Sequence, residues 1–173
     1  KVKVIYNSIN PRKDKKDNQQ FKEEFFREFK IPNNSKLLLS AGRICFHKRQ
    51  DFIIESLSPI LRERNIHLLF IGEYDFGNQE SLETKNKIKL LIKKNNLESK
   101  IRFCGFREDI KKIMSISDVF VHSTLTESFG LVLLEAMGEG LPIVSTNVDA
   151  IPEIVPEPDN YLVGINESEA FRN

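Results

Sequence analysis

Two glutamates in the last third of the chain, Glu127 and Glu135, have a spacing that could do chemistry. Seven residues separate them in the string ESFGLVLLEAMGEGLP. A strand and a short polar loop are expected before this string, and a helix capped by Ser128 and ended by Gly138 and Gly140 within it. A residue seven positions after a cap returns to nearly the same helix face. Both carboxylates are therefore expected to face one cleft.

The start of that helix is a predicted anion site. A helix N-terminus presents unpaired amides and the positive end of the helix dipole, and Gly130 lets a phosphate approach closely. The amides of Phe129, Gly130 and Leu131 are the expected donors. Residues 31–126 hold sixteen Lys/Arg against eleven Asp/Glu, whereas residues 127–173 hold one against nine. A basic part facing an acidic part would make a cleft for an anion on one wall and hydroxyls on the other.

The string from Glu127 to Pro142 closely resembles the signature of glycosyltransferase family 4, within the GT-B fold. The resemblance implies that Glu135 binds the ribose hydroxyls of a nucleotide. It also implies that Glu127 contacts the donor sugar near its reacting carbon. Ser128 and the backbone of residues 129–131 then belong to the same donor-binding site.

A second motif, LLLSAGRICFHKRQDF, agrees with this resemblance. In the family, Gly-Arg follows an early strand of the donor domain, a lysine lies five residues after the arginine, and the two cations hold the diphosphate. Arg43 and Lys48 have that spacing. Arginine suits bidentate contact with phosphate oxygens, and lysine adds a mobile point charge. The pair is expected to stabilise a departing nucleoside diphosphate without a metal.

Further matches extend the resemblance over nearly the whole chain. The segment FCGF at 103–106 matches a turn whose backbone holds the nucleobase, which implies that Gly105 and Phe106 line the base site. The segment AIPEIV at 150–155 matches a helix behind the site. His122 has two open interpretations: it lies beside the sugar, or it is a satisfied core residue at the end of a strand.

The elements that must position these residues alternate between strand-like and helix-like segments. This pattern is typical of a doubly wound, Rossmann-like α/β domain with a parallel sheet, whose buried strands are apolar on consecutive positions. The ligand of such a sheet lies outside the carboxyl ends of the strands. Strands are predicted at Val2–Tyr6, Lys36–Ala41, His67–Ile71, Ile101–Cys104, Val119–His122, Pro142–Ser145 and Tyr161–Val163. Helices are predicted at Phe21–Phe29, Asp51–Arg64, Ser81–Asn96 and Asp109–Ser115, with residues 10–20 as a loop.

Composition favours one globular domain of 173 residues with a net charge of +1. The two cysteines and three histidines have no zinc-ligand spacing, so neither a metal nor a cofactor is expected. Dinucleotide, ATPase, esterase and nucleic-acid motifs are absent from the sequence. With no signal sequence or apolar span, we expect a cytoplasmic protein, and peripheral membrane contact of the parent protein stays open.

The sequence therefore predicts that residues 1–173 are the nucleotide-sugar-binding domain of a retaining glycosyltransferase that lacks its N-terminal acceptor domain. The expected partners are a nucleoside diphosphate sugar and that missing domain. The isolated chain is expected to bind nucleotide without turning over. Two alternatives stay open: an epimerase or hydrolase of nucleotide sugars with the same fold, and a non-catalytic binding or scaffold module.

Overall fold

A computed structural model describes residues 7–9, 18–74, 79–156, 158 and 160–173 of the chain. Strands and helices alternate through the described part. The strands are β1 (Lys36–Ala41), β2 (Ile66–Ile71), β3 (Ile101–Phe103), β4 (Val119–His122), β5 (Ile143–Thr146) and β6 (Tyr161–Val163). The helices are α1 (Gln19–Glu28), α2 (Gln50–Glu63), α3 (Gln79–Lys94), α4 (Ile110–Ser115), α5 (Leu131–Gly138), α6 (Ile151–Ile154) and α7 (Ser168–Arg172).

The six described strands form one parallel sheet in the order β3-β2-β1-β4-β5-β6. The chain moves outward from β1 to β3 and then returns to place β4 on the other side of β1. The order therefore reverses between β1 and β4, where Leu38 is in register with Val119. In open α/β sheets, ligands bind beside the carboxyl ends of the strands at such a switch point.

The two faces of the sheet are each covered by helices, which confirms the predicted doubly wound fold. On one face, Phe25 and Phe26 of α1 pack in a core with residues of α4, α5 and α6. On the other face, residues of α2, α3 and α7 pack around Phe70 and Leu57. Burial on both sides explains why β1 reads LLLSA with every one of those five residues buried.

The predicted element bounds are confirmed to within a few residues, with local exceptions. The predicted strand Val2–Tyr6 and most of the predicted loop at 10–20 lie outside the described residues. Helix α1 begins at Gln19, two residues before the predicted start. No helix in the described part of the chain combines the length and the apolar character required to cross a bilayer.

Candidate functional site

The site is built where two loops meet, one after β1 and one after β4. The loop after β1 carries Arg43 and Lys48, and the loop after β4 carries Glu127. Because β1 and β4 are neighbours in a parallel sheet, both loops leave the same edge. The strand order thus brings together the basic and acidic motifs, which lie about eighty residues apart in the sequence.

The backbone after β1 continues the sheet pairing before it turns. Gly42 N donates to Ile71 O at 2.9 Å, and Ile44 N donates to Glu73 O at 2.8 Å. Gly72 directly follows the adjacent strand β2, and a Cβ atom there would lie 2.0 Å from Gly42 O. Real Cβ atoms do not approach backbone oxygens this closely, so only glycine permits this packing of the two strand ends. This close packing fixes the backbone position of Gly42 and therefore that of Arg43, the next residue.

A short 3-10 turn, Phe46–Lys48, follows and presents Lys48. The turn ends at Arg49, which has a left-handed backbone with φ of 49° and immediately precedes α2. Gln50, the first residue of α2, is buried and donates from Nε2 to Arg43 O at 2.8 Å. The start of α2 therefore holds both ends of the loop that bears the two cations.

The loop after β4 is hydrogen-bonded directly to this turn. Ser123 Oγ lies 2.9 Å from Lys48 O and 2.8 Å from Arg49 O. Thr124 Oγ1 lies 3.2 Å from His47 O, and Leu125 N donates to that same carbonyl oxygen at 2.8 Å. These hydrogen bonds fix the backbone position of Lys48 relative to the end of β4.

Glu127 contacts two side chains through one oxygen. Lys48 Nζ lies 2.6 Å from Glu127 Oε2, and His122 Nε2 lies 3.5 Å from the same atom. The side chains of Glu127 and Lys48 retain 12% and 23% of their exposure, so the pair is largely removed from water. The sequence predicted Lys48 and Glu127 as members of one site, and the structure brings them into contact.

Protonation in this cluster follows from burial and charge. His122 Nε2 and then the Lys48 ammonium lower the pKa of Glu127 from 4.5 to about 2, against the opposing effect of burial. Burial lowers the pKa of His122, and Lys48 adds to this, although Glu127 opposes it. At neutral pH Glu127 is therefore an anion beside a neutral imidazole.

The main chain at Glu127 is fixed from the other side by Asp149. Glu127 N and Thr126 Oγ1 donate to Asp149 Oδ2 at 2.9 and 2.7 Å. Asp149 has a left-handed backbone with φ of 46°, which is uncommon outside glycine, asparagine and aspartate. These two hydrogen bonds lower the pKa of Asp149. Its carboxylate thus anchors the loop from the turn that follows β5.

The start of α5 corrects one prediction. Ser128 does not cap the helix; it is exposed in the preceding loop, and the N-cap is Gly130 with φ of 83°. Residues 127–129 still belong to the loop that connects β4 to α5, so helical geometry begins at Leu131. Glu135 consequently lies one turn inside α5, above Leu131. Glu127 lies in the loop before the helix, as expected, and the expectation that both carboxylates face one cleft stays a prediction.

The helix start still leaves amides available, but they are displaced along the chain. The first amides of a helix have no acceptor within it, and here the helix begins at Leu131, with Gly130 before it. Leu133 N, in that first turn, already donates to Gly130 O at 2.9 Å. Phe129 lies one residue outside. Gly130 is buried, and a Cβ atom there would lie 3.1 Å from Ile154 Cδ1 of α6. The backbone consequently approaches α6 closely at the point where the anion site was predicted.

A cleft of about 520 Å³ opens beside this cluster, at the ends of β1 and β2. Arg43 lines it together with Phe106, whose side chain is 71% exposed. Gly105 supports this wall, because its carbonyl accepts from Gly72 N at 2.8 Å and its backbone has φ of 67°. Its complete lining is Ala41, Gly42, Arg43, Ile71, Gly72, Glu73, Tyr74, Phe106, Arg107 and Ile110.

The predicted residues therefore fall into two adjoining groups. Arg43 and Phe106 line the cleft and Gly105 adjoins it through its hydrogen bond with Gly72, whereas Lys48 and Glu127 form the ion pair beside the start of α5. A ligand that uses all five would extend from the cleft across the end of β1 to the start of α5. Within the described residues, no three His, Cys, Asp or Glu side chains form a cluster suited to a metal ion.

Sequence reasoning missed Ser123, Thr124 and Asp149 as supports of the site. The polar run HST directly after a buried strand was an available signal, because hydroxyl groups at a strand end commonly bond to neighbouring loops. Asp149 gave no comparable signal, since its role depends on β5 lying beside β4.

Comparison with known proteins gives the family and the fold of the chain. The family described as Glycosyl transferases group 1 matches residues 21–173. An uncharacterised glycosyltransferase of Methanocaldococcus jannaschii is 31% identical over 165 residues, covering 94% of this chain and 40% of that protein. N-acetyl-alpha-D-glucosaminyl L-malate synthase of Bacillus anthracis is 29% identical over 169 residues, covering 96% and 41%. This chain thus spans about two fifths of the length of these relatives.

Solved structures share the fold. HepE of Anabaena, crystallised with UDP and glucose, matches with a TM-score of 0.83 at 23% identity, covering 98% of this chain and 45% of that one. The C-terminal domain of LpcC, a group 1 glycosyl transferase of Francisella tularensis, matches with a TM-score of 0.73 at 26% identity, covering 94% and 80%. With the family match extending from α1 to the last residue, the chain belongs to the Glycosyl transferases group 1 family and has the fold of the C-terminal half of a GT-B enzyme.

Proposed function

We propose that residues 1–173 supply the donor-binding half of a retaining family 4 glycosyltransferase, which transfers a sugar from a nucleoside diphosphate sugar to an acceptor hydroxyl. The ion pair between Lys48 and Glu127 is the observation that carries the proposal. It places a cation and an anion side by side where the strand order reverses, between the cleft and the start of α5. A nucleotide sugar needs this combination, because its diphosphate is anionic and its sugar carries hydroxyl groups.

In this proposal the nucleoside occupies the cleft. Phe106 and the backbone of Gly105 contact the base, and Glu135 holds the ribose hydroxyls. HepE, which has the same fold, was crystallised with UDP and glucose, and this supports a nucleotide in the equivalent place. The cleft, at about 520 Å³, is large enough for a nucleoside.

The diphosphate then extends toward the ion pair. Arg43, Lys48 and the amides at the start of α5 take the negative charge that develops on the leaving group, without a metal ion. Ser128 and Phe129 flank this position. Glu127 is ionised at neutral pH because its pKa is lowered to about 2, so it can orient the sugar and support an oxocarbenium-like transition state.

The acceptor site and any assisting base would lie on an N-terminal domain of the parent protein. The relatives are more than twice as long as this chain, which supports such a second domain. We infer front-face attack with retention of configuration and no protein nucleophile. In this proposal the parent acts in the cytoplasm, with peripheral contact to a membrane as an open alternative.

Calorimetry with UDP, GDP and ADP tests the donor-site proposal on this chain. We expect one of the three to bind, and Lys48→Met to weaken that binding by about 10- to 100-fold because a charge-assisted hydrogen bond is lost. Lys94→Met, at an exposed position on α3, is the matched control and should bind normally. Glu135→Ala should weaken the binding of each nucleotide through its ribose. Binding of none of the three would favour the scaffold interpretation.

The reaction itself is tested with the parent protein. Incubation with a nucleotide sugar, with and without acceptor, separates transfer from hydrolysis or epimerisation, and NMR of the product gives its anomeric configuration. The chain alone should show negligible turnover. Rates of about 1 per second or more from the isolated chain would contradict the need for a second domain.

A further inference from the structure

His122 is a buried polar residue with an unused hydrogen-bonding atom. Its ring closes β4 with a relative exposure of 3%. Among the described residues, Nε2 has no partner at hydrogen-bond geometry, although it lies 3.5 Å from Glu127 Oε2. Buried nitrogen atoms are nearly always satisfied, so an unsatisfied one aimed at a functional carboxylate calls for an explanation.

The closer partner of that carboxylate is the residue that the proposed function would draw away. Lys48 Nζ lies 2.6 Å from the same oxygen, Oε2 of Glu127. A diphosphate held by Lys48 competes for its ammonium group. When the ammonium turns toward phosphate oxygens, Glu127 loses its shortest contact while it stays largely buried.

We infer that His122 is a positioning residue that holds the Glu127 carboxylate in place, by donating Nε2–H to Oε2, when Lys48 is drawn away. This inference rests on the proposed function for the movement of Lys48. A carboxylate shift of about half an ångström would bring the 3.5 Å separation to an ordinary hydrogen-bond length. Glu127 would thus keep its charge and its direction throughout the exchange.

The protonation of the ring supports this role. Burial and the facing Lys48 keep the pKa of His122 below its usual value, while Glu127 is the facing acid. A neutral imidazole has one N–H, and the role requires it on Nε2. Because the imidazole is neutral, it can hold the carboxylate without drawing the anionic diphosphate toward it, as a second cation would.

The test removes the ammonium without any nucleotide. In Lys48→Met, the pKa of Glu127 is followed by the chemical shift of its side-chain carboxyl carbon during a pH titration. We expect the pKa to stay below the ordinary 4.5, because His122 then donates to the carboxylate in place of Lys48. A value of 4.5 or above in this variant would overturn the inference.

A matched pair of double variants identifies the responsible atom. Glutamine places its amide nitrogen near the position of Nε2, whereas asparagine places it near Nδ1. We expect Lys48→Met with His122→Gln to keep the pKa of Glu127 low, and Lys48→Met with His122→Asn to raise it to 4.5 or higher. Equal pKa values in the two would show that His122 is only a core residue.

NMR spectra of the backbone amides show whether each variant is folded. If the asparagine variant unfolds, the pKa of Glu127 can still be measured in the glutamine variant. In that case, a low pKa in Lys48→Met that survives His122→Gln supports the inference, and a rise to 4.5 overturns it. These measurements need no ligand. If UDP, GDP and ADP all fail to bind, the proposed function fails while the contact between His122 and Glu127 is still decided.

Discussion

Ser123 hydrogen-bonds through its hydroxyl to the backbone carbonyl of Lys48 at 2.9 Å, so the strand that leads to Glu127 is tied to the turn that presents the lysine. The contact joins residues 75 positions apart in the sequence. A salt bridge between flexible surface side chains contributes little to stability, because forming it costs conformational entropy. That cost is smaller here, since the Ser123 hydroxyl already holds the backbone of Lys48. The geometry of the Lys48–Glu127 pair is thus built into the backbone.

Replacement of this hydroxyl should weaken both stability and binding. Ser123→Ala removes the one hydroxyl hydrogen that the part-buried carbonyl groups of Lys48 and Arg49 share. We expect a loss of about 1–2 kcal/mol in the free energy of unfolding, measured with urea, and a several-fold weaker affinity for the nucleotide that the wild type binds. Ser117→Ala is the control, since its hydroxyl also bonds to a backbone carbonyl, that of Ile113, but away from the site. A loss of stability with unchanged nucleotide affinity would show that the tie does not position Lys48.

Asp149 stabilises its loop in two ways, by adopting a left-handed backbone and by accepting two hydrogen bonds, and substitutions can separate the two. Asp149→Gly tolerates the φ of 46° but removes the acceptor for Glu127 N and Thr126 Oγ1. Asp149→Ala removes the acceptor and is also strained, whereas Asp149→Asn keeps an oxygen acceptor and tolerates this backbone. Thermal unfolding should therefore rank the midpoints as wild type, asparagine, glycine and alanine, from highest to lowest. An alanine variant as stable as the asparagine variant would contradict the roles of both backbone and acceptor.

His67 should make the domain sensitive to mild acid. Burial, with the charges of Lys100 and Arg102, lowers its pKa from 6.5 to about 4. The unfolded chain therefore binds this proton first as the pH falls, and stability that is complete above pH 6.5 decreases down to about pH 4. Solvent around the two cations screens part of the effect, so we expect a loss of about 1–2 kcal/mol over that window.

Urea unfolding at several pH values measures this loss. In His67→Leu, the part of the decrease between pH 6.5 and 4 that comes from His67 should disappear. His47→Leu is the control, because this histidine lies on the exposed face of the turn. An unchanged pH profile in the His67 variant would show that other groups cause the acid sensitivity.

Gly72 should be among the least replaceable residues at the carboxyl end of the sheet. An alanine Cβ would lie 2.0 Å from Gly42 O, and the backbone φ of 133° disfavours any L side chain. We expect Gly72→Ala to lower the free energy of unfolding by about 3 kcal/mol or more and to weaken nucleotide binding through Arg43. Gly140→Ala has a positive φ of 80° with nothing within 4 Å of the added atom, and should lower stability by only about 1 kcal/mol. Similar losses in the two variants would exclude the clash as the cause.

Much of the fold could be predicted because buried parallel strands have a simple signature. Runs such as LLLS in β1 and HLLF in β2 are apolar on consecutive positions, and both strands were correctly predicted. The start of α5 was wrong for an identifiable reason. A serine before an apolar run is an ordinary helix cap, but the cap lies two residues later, at Gly130, because the connection from β4 extends that far.

The site was only partly predictable. Arg43, Lys48 and Glu127 were predicted as site residues because their residue types and spacing match a family pattern. Their arrangement into a cleft group and an ion-pair group was not visible, since it depends on side-chain direction at the ends of different strands. The contact between His122 and Glu127 is similar, because two alternatives for His122 were equally open from the sequence.

The sequence by itself determined the order of strands and helices, the cores that cover both faces of the sheet and the residue types at the site. Those features follow from local hydrophobic periodicity and from side-chain chemistry, which each residue carries wherever it lies. Only the tertiary structure decided that β4 lies beside β1, that Ser123 ties it to the Lys48 turn and that Glu127 is held between Lys48 and His122. Contacts between residues about eighty positions apart depend on how the whole sheet packs, and no local segment contains that information.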